Sequence, residues 1–287
     1  MRLVYLNGDF VPEAEAKVSV FDRGFLYGDG IFETVRSYGG KIFRLKRHIE
    51  RLFTSANILS ISLPHDAGQF CEIVKETLRR NHLNDASLRL SVSRGPGAPG
   101  LSPAGSGPPT VLCTARELPP GLPQLQKSGV RAVVVQTRRT PPPCLDSRAK
   151  TFNFLNNIVA RLEVDAAGAF EGIMLNTAGK VAEGTVSNVF FYSGGVLYTP
   201  SPDAGILPGI ARETVLEAAA WKGVRAGEGL FGPEDLFAAG EVFLTNSNWE
   251  VLPVVQLDGM TVGKGVPGPA TTALAAAYNE LVRAEEG

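Results

Sequence analysis

The run Arg116-Glu117-Leu118-Pro119-Pro120-Gly121-Leu122-Pro123 constrains the fold of this chain more than any other feature. Proline removes a ladder donor and glycine is costly to order, so a regular element does not pass easily through it. The run reads as a connection between two domains, with residues 1–117 as a small N-terminal domain, 118–127 as the linker and 128–287 as a larger domain. Before it, Leu45, Ile49, Leu52, Phe53, Ala56 and Leu59 recur at helical spacing, and Cys71, Val74 and Leu78 mark a second helix. Strands are expected at 3–7, 31–37, 88–93 and 110–115. After it, β-branched runs at 130–137, 172–176, 186–192 and 241–245 alternate with helices near 156–166 and 210–220. Residues 94–109, rich in Gly, Pro and Ser, read as an exposed mobile loop.

With 287 residues, 44% hydrophobic content and a formal charge of -1, the chain has the profile of a soluble enzyme and offers no basic surface for nucleic acid. Residues 1–7 are short, apolar and broken at once by Asn7-Gly8, which suits a strand and turn rather than a signal peptide. Without an apolar run long enough to span a bilayer, the expectation is a cytoplasmic protein with no membrane partner. Cys71, Cys113 and Cys144 are an odd set with no close pairing, and His48, His65 and His82 are not grouped with them, so no metal site is expected.

Chemistry enters at Lys150, in Ala149-Lys150-Thr151-Phe152-Asn153-Phe154, followed 33 positions later by Glu183-Gly184-Thr185-Val186-Ser187-Asn188. A lysine amine and a carboxylate are what pyridoxal phosphate needs: the first holds its aldehyde as a Schiff base, the second keeps its ring nitrogen protonated. The bland alternatives are a solvated surface lysine and an exposed Glu in a glycine turn. Arg51, one turn beyond His48, has a guanidinium suited to a phosphate, with a salt bridge to Glu50 or Asp66 as its competitor. Gly209, Ile210 and Ala211 open a predicted helix whose first N–H groups suit the same phosphate.

Taken with His48-Ile49-Glu50-Arg51-Leu52, residues 21–34, Gly205-Ile206-Leu207-Pro208-Gly209-Ile210-Ala211-Arg212 and Thr245-Asn246-Ser247, these residues make the chain resemble the class IV, or fold-type IV, pyridoxal-phosphate aminotransferases. The likeness covers nearly the whole sequence, in family order. It implies an α+β, two-domain fold: a small α/β N-terminal domain and a larger, mostly β, barrel-like C-terminal domain with the cofactor between them. It also implies a homodimer, Lys150 as the catalytic amine, Glu183 at the ring nitrogen, and Arg51 with the 209–211 helix start at the phosphate. Leu207 and Ser247 join the cofactor contacts on the same ground, and the amides beside Ser247 are expected to face a substrate carboxylate. Arg89 and Arg94 are candidates for substrate carboxylates or else structural strand-end arginines, and Phe32, Asn248 and Trp249 are expected near the small-molecule amino substrate.

Departures from the family narrow the reaction. Branched-chain enzymes carry Tyr where this chain has Phe32 and Phe154, and a Gly-Thr-Ala-Ala turn where it has Asn246-Ser247-Asn248-Trp249. The D-amino-acid enzymes' Arg-x-His pair is missing after Arg94-Gly95. The combination resembles aminodeoxychorismate lyase, an enzyme of folate biosynthesis, which would release 4-aminobenzoate and pyruvate. The alternative is a branched-chain type transaminase passing an amino group to a 2-oxo acid.

Overall fold

The computed structural model describes residues 2–286, which divide into two compact units. The first runs through Leu118 and takes back Arg148–Asn153; the second holds Pro119–Ser147 and the chain from Phe154 onward. This differs from the sequence expectation in two ways. The lysine segment leaves the expected 128–287 domain and joins the first unit, and part of the expected 118–127 linker is a helix, with Leu122 buried and a proline in its first turn, where a missing N–H costs little.

In the first unit, β1 (Leu3–Leu6), β2 (Asp9–Pro12), β3 (Gly30–Tyr38), β4 (Lys41–Ile42), β5 (Ala86–Ser93) and β6 (Thr110–Glu117) form one sheet in the order β2-β1-β6-β5-β3-β4. All its pairings are antiparallel. A short helix α1 (Arg23–Tyr27) precedes β3, and α2 (Leu45–Leu59) and α3 (Ala67–Arg80) follow β4. Both long helices are amphipathic: Leu45, Ile49, Leu52 and Ala56 of α2, and Phe70, Ile73, Val74 and Leu78 of α3, share a core with Ile31, Val35, Leu88, Leu90 and Val92 of the sheet. Each Val, Leu, Ile or Phe among them contributes about 1.5–3 kcal/mol by leaving water. Asp66 starts α3 with a capping box to Gln69, which fixes where that helix begins.

Arg148–Asn153 lies against β3 as an extended segment. Phe32 N donates to Lys150 O (3.0 Å), Phe152 N to Gly30 O (2.8 Å), and Ile31 bridges Thr151. Nothing near Lys150 in sequence announces this partner, because it lies more than a hundred residues away. Residues 98–105 are exposed as expected, and the loop has contacts with the segment around α1. The buried Arg23 donates to the carbonyls of Gly100, Leu101 and Ser102, and Pro96 bridges Asp22.

The second unit begins with α4 (Leu122–Ser128) and β7 (Val130–Val134), then α5 (Leu155–Ala166), β8 (Glu171–Leu175), β9 (Val181–Gly184), β10 (Asn188–Ser193) and β11 (Val196–Pro200). It continues with α6 (Ile210–Trp221), β12 (Ala226–Gly229), α7 (Pro233–Phe237), β13 (Glu241–Asn246), β14 (Glu250–Leu257), β15 (Met260–Thr261) and α8 (Pro269–Glu286). Its mixed sheet runs β12-β11-β10-β13-β14-β7-β8-β9, with β15 on β14. Val130, Ile173, Val189, Leu244, Leu252 and Val254 centre its main core.

Candidate active site

In the first unit, Lys150 is gripped by its backbone. Its N–H donates to Ser55 Oγ of α2 (3.0 Å) and its carbonyl accepts the Phe32 amide of β3. Its ammonium lies 4.5 Å from the centre of the Phe32 ring. Phe32 pairs with Ser91 across β3 and β5, so Arg89, two residues from Ser91, shares its face of the sheet. The Arg89 guanidinium accordingly covers the same ring at 3.5 Å. Arg89 keeps an exposed edge, yet burial of the rest lowers its pKa to about 10, and among the described residues it makes no hydrogen bond or ion pair.

The opposite face of β3 carries Ile31, Glu33 and Val35 toward α2. Glu33 is 0% exposed. Arg51 donates Nε to its Oε1 (2.8 Å) and Nη2 to its Oε2 (2.7 Å), while the His48 Nδ1 lies 2.8 Å from Oε2. Burial pushes the Glu33 carboxyl up, but the Arg51 charge and the hydrogen bonds from Arg51 and His48 outweigh it and leave the group at about 2. Burial pulls His48 down, and the charges of Arg51 and Lys150 act the same way against Glu33. His48 is thus neutral near pH 7 and donates its Nδ1 proton to the carboxylate. Arg51 is thus paired with Glu33, and Glu50, one of its expected competitors, pairs with Arg47. The signal was present in the sequence: a lone Glu on an apolar strand face, and a His and an Arg three apart on one helix face.

Arg94 departs from its expected substrate role. Its Nε donates to Asp29 Oδ2, and its two terminal nitrogens donate to the carbonyls of Ser60 and Leu59 at the end of α2. A guanidinium engaged along all three nitrogens caps a helix rather than recruiting a ligand.

In the second unit, Glu183 ends β9. Its Oε1 accepts Arg139 Nε (2.7 Å), and its Oε2 accepts the Leu207 amide (2.9 Å) and Asn188 Nδ2 (3.3 Å). The turn that follows is held by the buried Glu171, which accepts from Thr185 Oγ1 (2.5 Å) and Ser187 Oγ (3.1 Å). Gly184 fits this turn because a Cβ would collide with Ser187 Oγ. Leu207 thus spends its amide on Glu183. Gly209 is the N-cap of α6, where a Cβ would strike Asn188 Oδ1, and no side chain caps the first turn formed by Ile210 and Ala211. That leaves a helix start whose N–H groups and dipole suit an anion. Sequence reading missed Arg139 and Asn188, since neither stands in a recognisable spacing with Glu183.

One expectation in the 246–249 turn is corrected. Asn246 Oδ1 accepts the amides of Asn248 (3.0 Å) and Trp249 (2.8 Å), so the amides beyond Ser247 close an Asx turn instead of facing a carboxylate. Trp249, expected near the substrate, is half-buried and packs on Phe170 at 5.1 Å, against the second unit's core, and its carbonyl accepts Gln126 Nε2. Asn248 stays half-buried in the turn, as does Ser247.

Each unit carries groups whose chemistry fits pyridoxal phosphate: in the first, a primary amine on a clamped backbone and a guanidinium fixed by a buried carboxylate; in the second, a carboxylate that accepts from a guanidinium and two N–H donors, and an uncapped helix start. The sequence model of amino-transferase class IV matches residues 30–257. A Methanocaldococcus jannaschii protein named "Putative branched-chain-amino-acid aminotransferase" is 41% identical over 97% of this chain and 96% of its own. Aminodeoxychorismate lyase of Bacillus subtilis is 37% identical over 98% and 95%. A solved branched-chain amino acid aminotransferase, that of T.th., complexed with N-(5'-phosphopyridoxyl)-L-glutamate, superposes with a TM-score of 0.92 at 34% identity, covering 99% of this chain and 94% of that one. The chain therefore belongs to the class IV aminotransferases and is a pyridoxal-phosphate-dependent enzyme with the family's two-domain α+β fold.

Proposed function

We propose that this enzyme is an amino-acid transaminase of the branched-chain type, passing the amino group to a 2-oxo acid that carries a second carboxylate. The observation that carries this reading is Arg89: a cation over the Phe32 ring, the same ring that the Lys150 ammonium approaches, with no ionic partner of its own among the described residues. A lone, partly desolvated guanidinium costs stability unless a ligand anion joins it, and a dicarboxylate such as 2-oxoglutarate brings one. The likeness to the M. jannaschii protein and to the glutamate-adduct structure supports the same choice over the lyase that the Phe32, Phe154 and 246–249 departures favour.

When bound, pyridoxal phosphate supplies an aldehyde for amine capture and a ring that accepts electrons from the substrate carbon. Lys150 Nζ takes the proton from the amine-bearing carbon and, as the ammonium, is the acid that gives it back. Glu183 holds its charge toward the ring nitrogen, oriented by Arg139 and Asn188. Arg51, the α6 start at Gly209, Ile210 and Ala211, and Ser247 bind the phosphate. Phe32 keeps water from one side of Lys150, and Arg89 orients the substrate by its carboxylate.

Aminodeoxychorismate lyase is the second reading, favoured by the absent hydroxyls at Phe32 and Phe154 and by the 37% identical B. subtilis relative. One enzyme preparation assayed with leucine plus 2-oxoglutarate, and separately for pyruvate release from aminodeoxychorismate, separates them. Transamination is expected to have the higher kcat/KM; the reverse ranking returns the assignment to the lyase. A cytoplasmic homodimer belongs to the proposal. Leu155, Ile158, Val159 and Leu162 form an exposed apolar stripe at helical spacing on α5, suited to a second copy, and no described helix is long and apolar enough to cross a membrane.

A further inference from the structure

We infer that Ser55 is a positioning residue for Lys150, setting the register between the reactive amine and the phosphate-binding arginine. The inference rests on the reading of Lys150 and Arg51 given above. Ser55 is fully buried on α2, on the face that carries His48 and Arg51. Its hydroxyl donates to the Arg51 carbonyl (2.9 Å) and accepts the Lys150 amide (3.0 Å). A serine bonding back to the carbonyl four residues earlier is common in helices and slightly destabilising. Thr54 makes that same bond, to Glu50 O at 3.0 Å, on the exposed side of the helix. In Ser55 the oxygen is also met by a main-chain donor from a segment 95 residues away.

The consequence is a clamp. An N–H buried without an acceptor is strongly disfavoured, so Ser55 provides what the Lys150 amide requires. The Lys150 carbonyl is held by the Phe32 amide. With both backbone groups fixed to different elements, α2 on one side and β3 on the other, the direction in which the lysine side chain leaves the main chain is set. The other end of the relay is the carbonyl of Arg51, whose guanidinium Glu33 fixes. The aldehyde and phosphate of the cofactor are a fixed covalent distance apart, so the amine that meets the first must be registered against the cation that meets the second. One hydroxyl, that of Ser55, hydrogen-bonds the main chain of both residues.

The test compares Ser55→Ala with Ser55→Thr, which keeps a hydroxyl, and with Thr54→Ala as a control for the helical back-bond. The measurements are cofactor affinity by equilibrium dialysis, kcat and KM for leucine, the kinetic isotope effect with α-deuterated leucine, amide exchange of the peptide containing Lys150, and thermal melting. Ser55→Ala is expected to bind pyridoxal phosphate within about threefold of the parent, while kcat falls roughly ten- to a hundredfold at nearly constant KM. The isotope effect should rise, because misplacing the amine slows the proton transfer itself, and the Lys150 amide should exchange faster. Ser55→Thr should recover most of kcat, and Thr54→Ala should change nothing. An unchanged kcat and isotope effect in Ser55→Ala overturns the inference, as does a parallel loss of affinity, kcat and thermal stability. Should Ser55→Ala fail to fold, the parent enzyme decides: open-chain exchange at the Lys150 amide overturns the clamp, and slow exchange supports it. Borohydride labelling of a different lysine in the parent enzyme would sink the functional reading itself, and the inference with it, whereas labelling at Lys150 with an unchanged isotope effect removes only the role of Ser55.

Discussion

The two clusters that would hold the cofactor are built on different physics. In the first unit a fully buried carboxylate, Glu33, is balanced by the Arg51 guanidinium, which donates to both of its oxygens, and takes a further hydrogen bond from the neutral His48. In the second unit Glu183 is also nearly buried, and its oxygens accept from the Arg139 guanidinium and from two uncharged donors, the Leu207 amide and the Asn188 side chain. Buried charge is intolerant of losing one partner, because the remaining ion cannot return to water. At Glu183 the Leu207 and Asn188 donors are neutral and lose no charge assistance when the carboxylate becomes an amide, whereas at Glu33 both Arg51 bonds do. The first cluster therefore governs whether the unit stands, and the second whether the chemistry runs.

The largest expected effect tests the chemistry alone. Lys150→Ala should lower turnover by about 10³–10⁴ while leaving the urea midpoint close to that of the parent, since the Glu33 cluster is intact. Borohydride should then trap no cofactor on the chain. A variant that kept a tenth of the parent rate would remove Lys150 from the centre of the mechanism.

Next comes Glu33→Gln, which leaves the Arg51 charge buried opposite an amide. A loss of about 3–5 kcal/mol in urea unfolding is expected, with weaker cofactor binding as Arg51 loses its orientation. The acid limb should change with it. The folded Glu33 titrates at about 2 against an ordinary 4.5, so its contribution is complete above pH 4.5 and drains away as the pH falls toward 2. That difference is worth about 3 kcal/mol. His48, shifted below its ordinary value of 6.5, acts in the same direction, losing stability as the pH falls through 6.5. Urea midpoints followed from pH 7 to 3 should steepen in the parent and flatten in Glu33→Gln; equal slopes would break the contrast between the clusters.

Glu183→Gln should do the reverse. Cofactor stays bound and stability changes by about 1 kcal/mol or less, while kcat falls about a hundredfold because the amide carries no charge to favour a protonated ring. Full turnover in this variant would make the second cluster structural as well. The smallest effect belongs to Arg89→Gln, expected to raise KM for 2-oxoglutarate roughly ten- to a hundredfold with kcat nearly unchanged. A rise in KM for leucine alone would assign Arg89 to the donor and weaken the dicarboxylate reading.

Much of the scaffold was legible in the sequence because it is periodic. The α2 stripe of Leu45, Ile49, Leu52 and Ala56 lies in the core, and β3 forms where a strand is expected, buried throughout from Gly30 to Glu33 and alternating only beyond. Lys150 and Glu183 stand out by residue type. What stayed hidden depends on contacts distant in sequence. The attachment of residues 148–153 to β3 is made by main-chain bonds, which no side-chain pattern encodes. Arg94 carries the same guanidinium as Arg89, yet one caps α2 and the other lies over Phe32; strand register and the nearby helix end decide between them. Trp249 resembles a pocket residue by its position in the turn, and its packing on Phe170 is a contact distant in sequence.

The return of Arg148–Asn153 to the first unit also orders events during synthesis. Leu118 closes the contiguous part of that unit, but its last segment ends at Asn153, 35 residues later. At about 5–20 residues per second the ribosome needs roughly 2–7 s to deliver them. Through that interval the Phe32 amide, the Gly30 carbonyl and the Ser55 oxygen wait without their native partners while the second unit's first residues emerge. The lysine that the chemistry depends on is thus also the piece whose arrival completes the first unit.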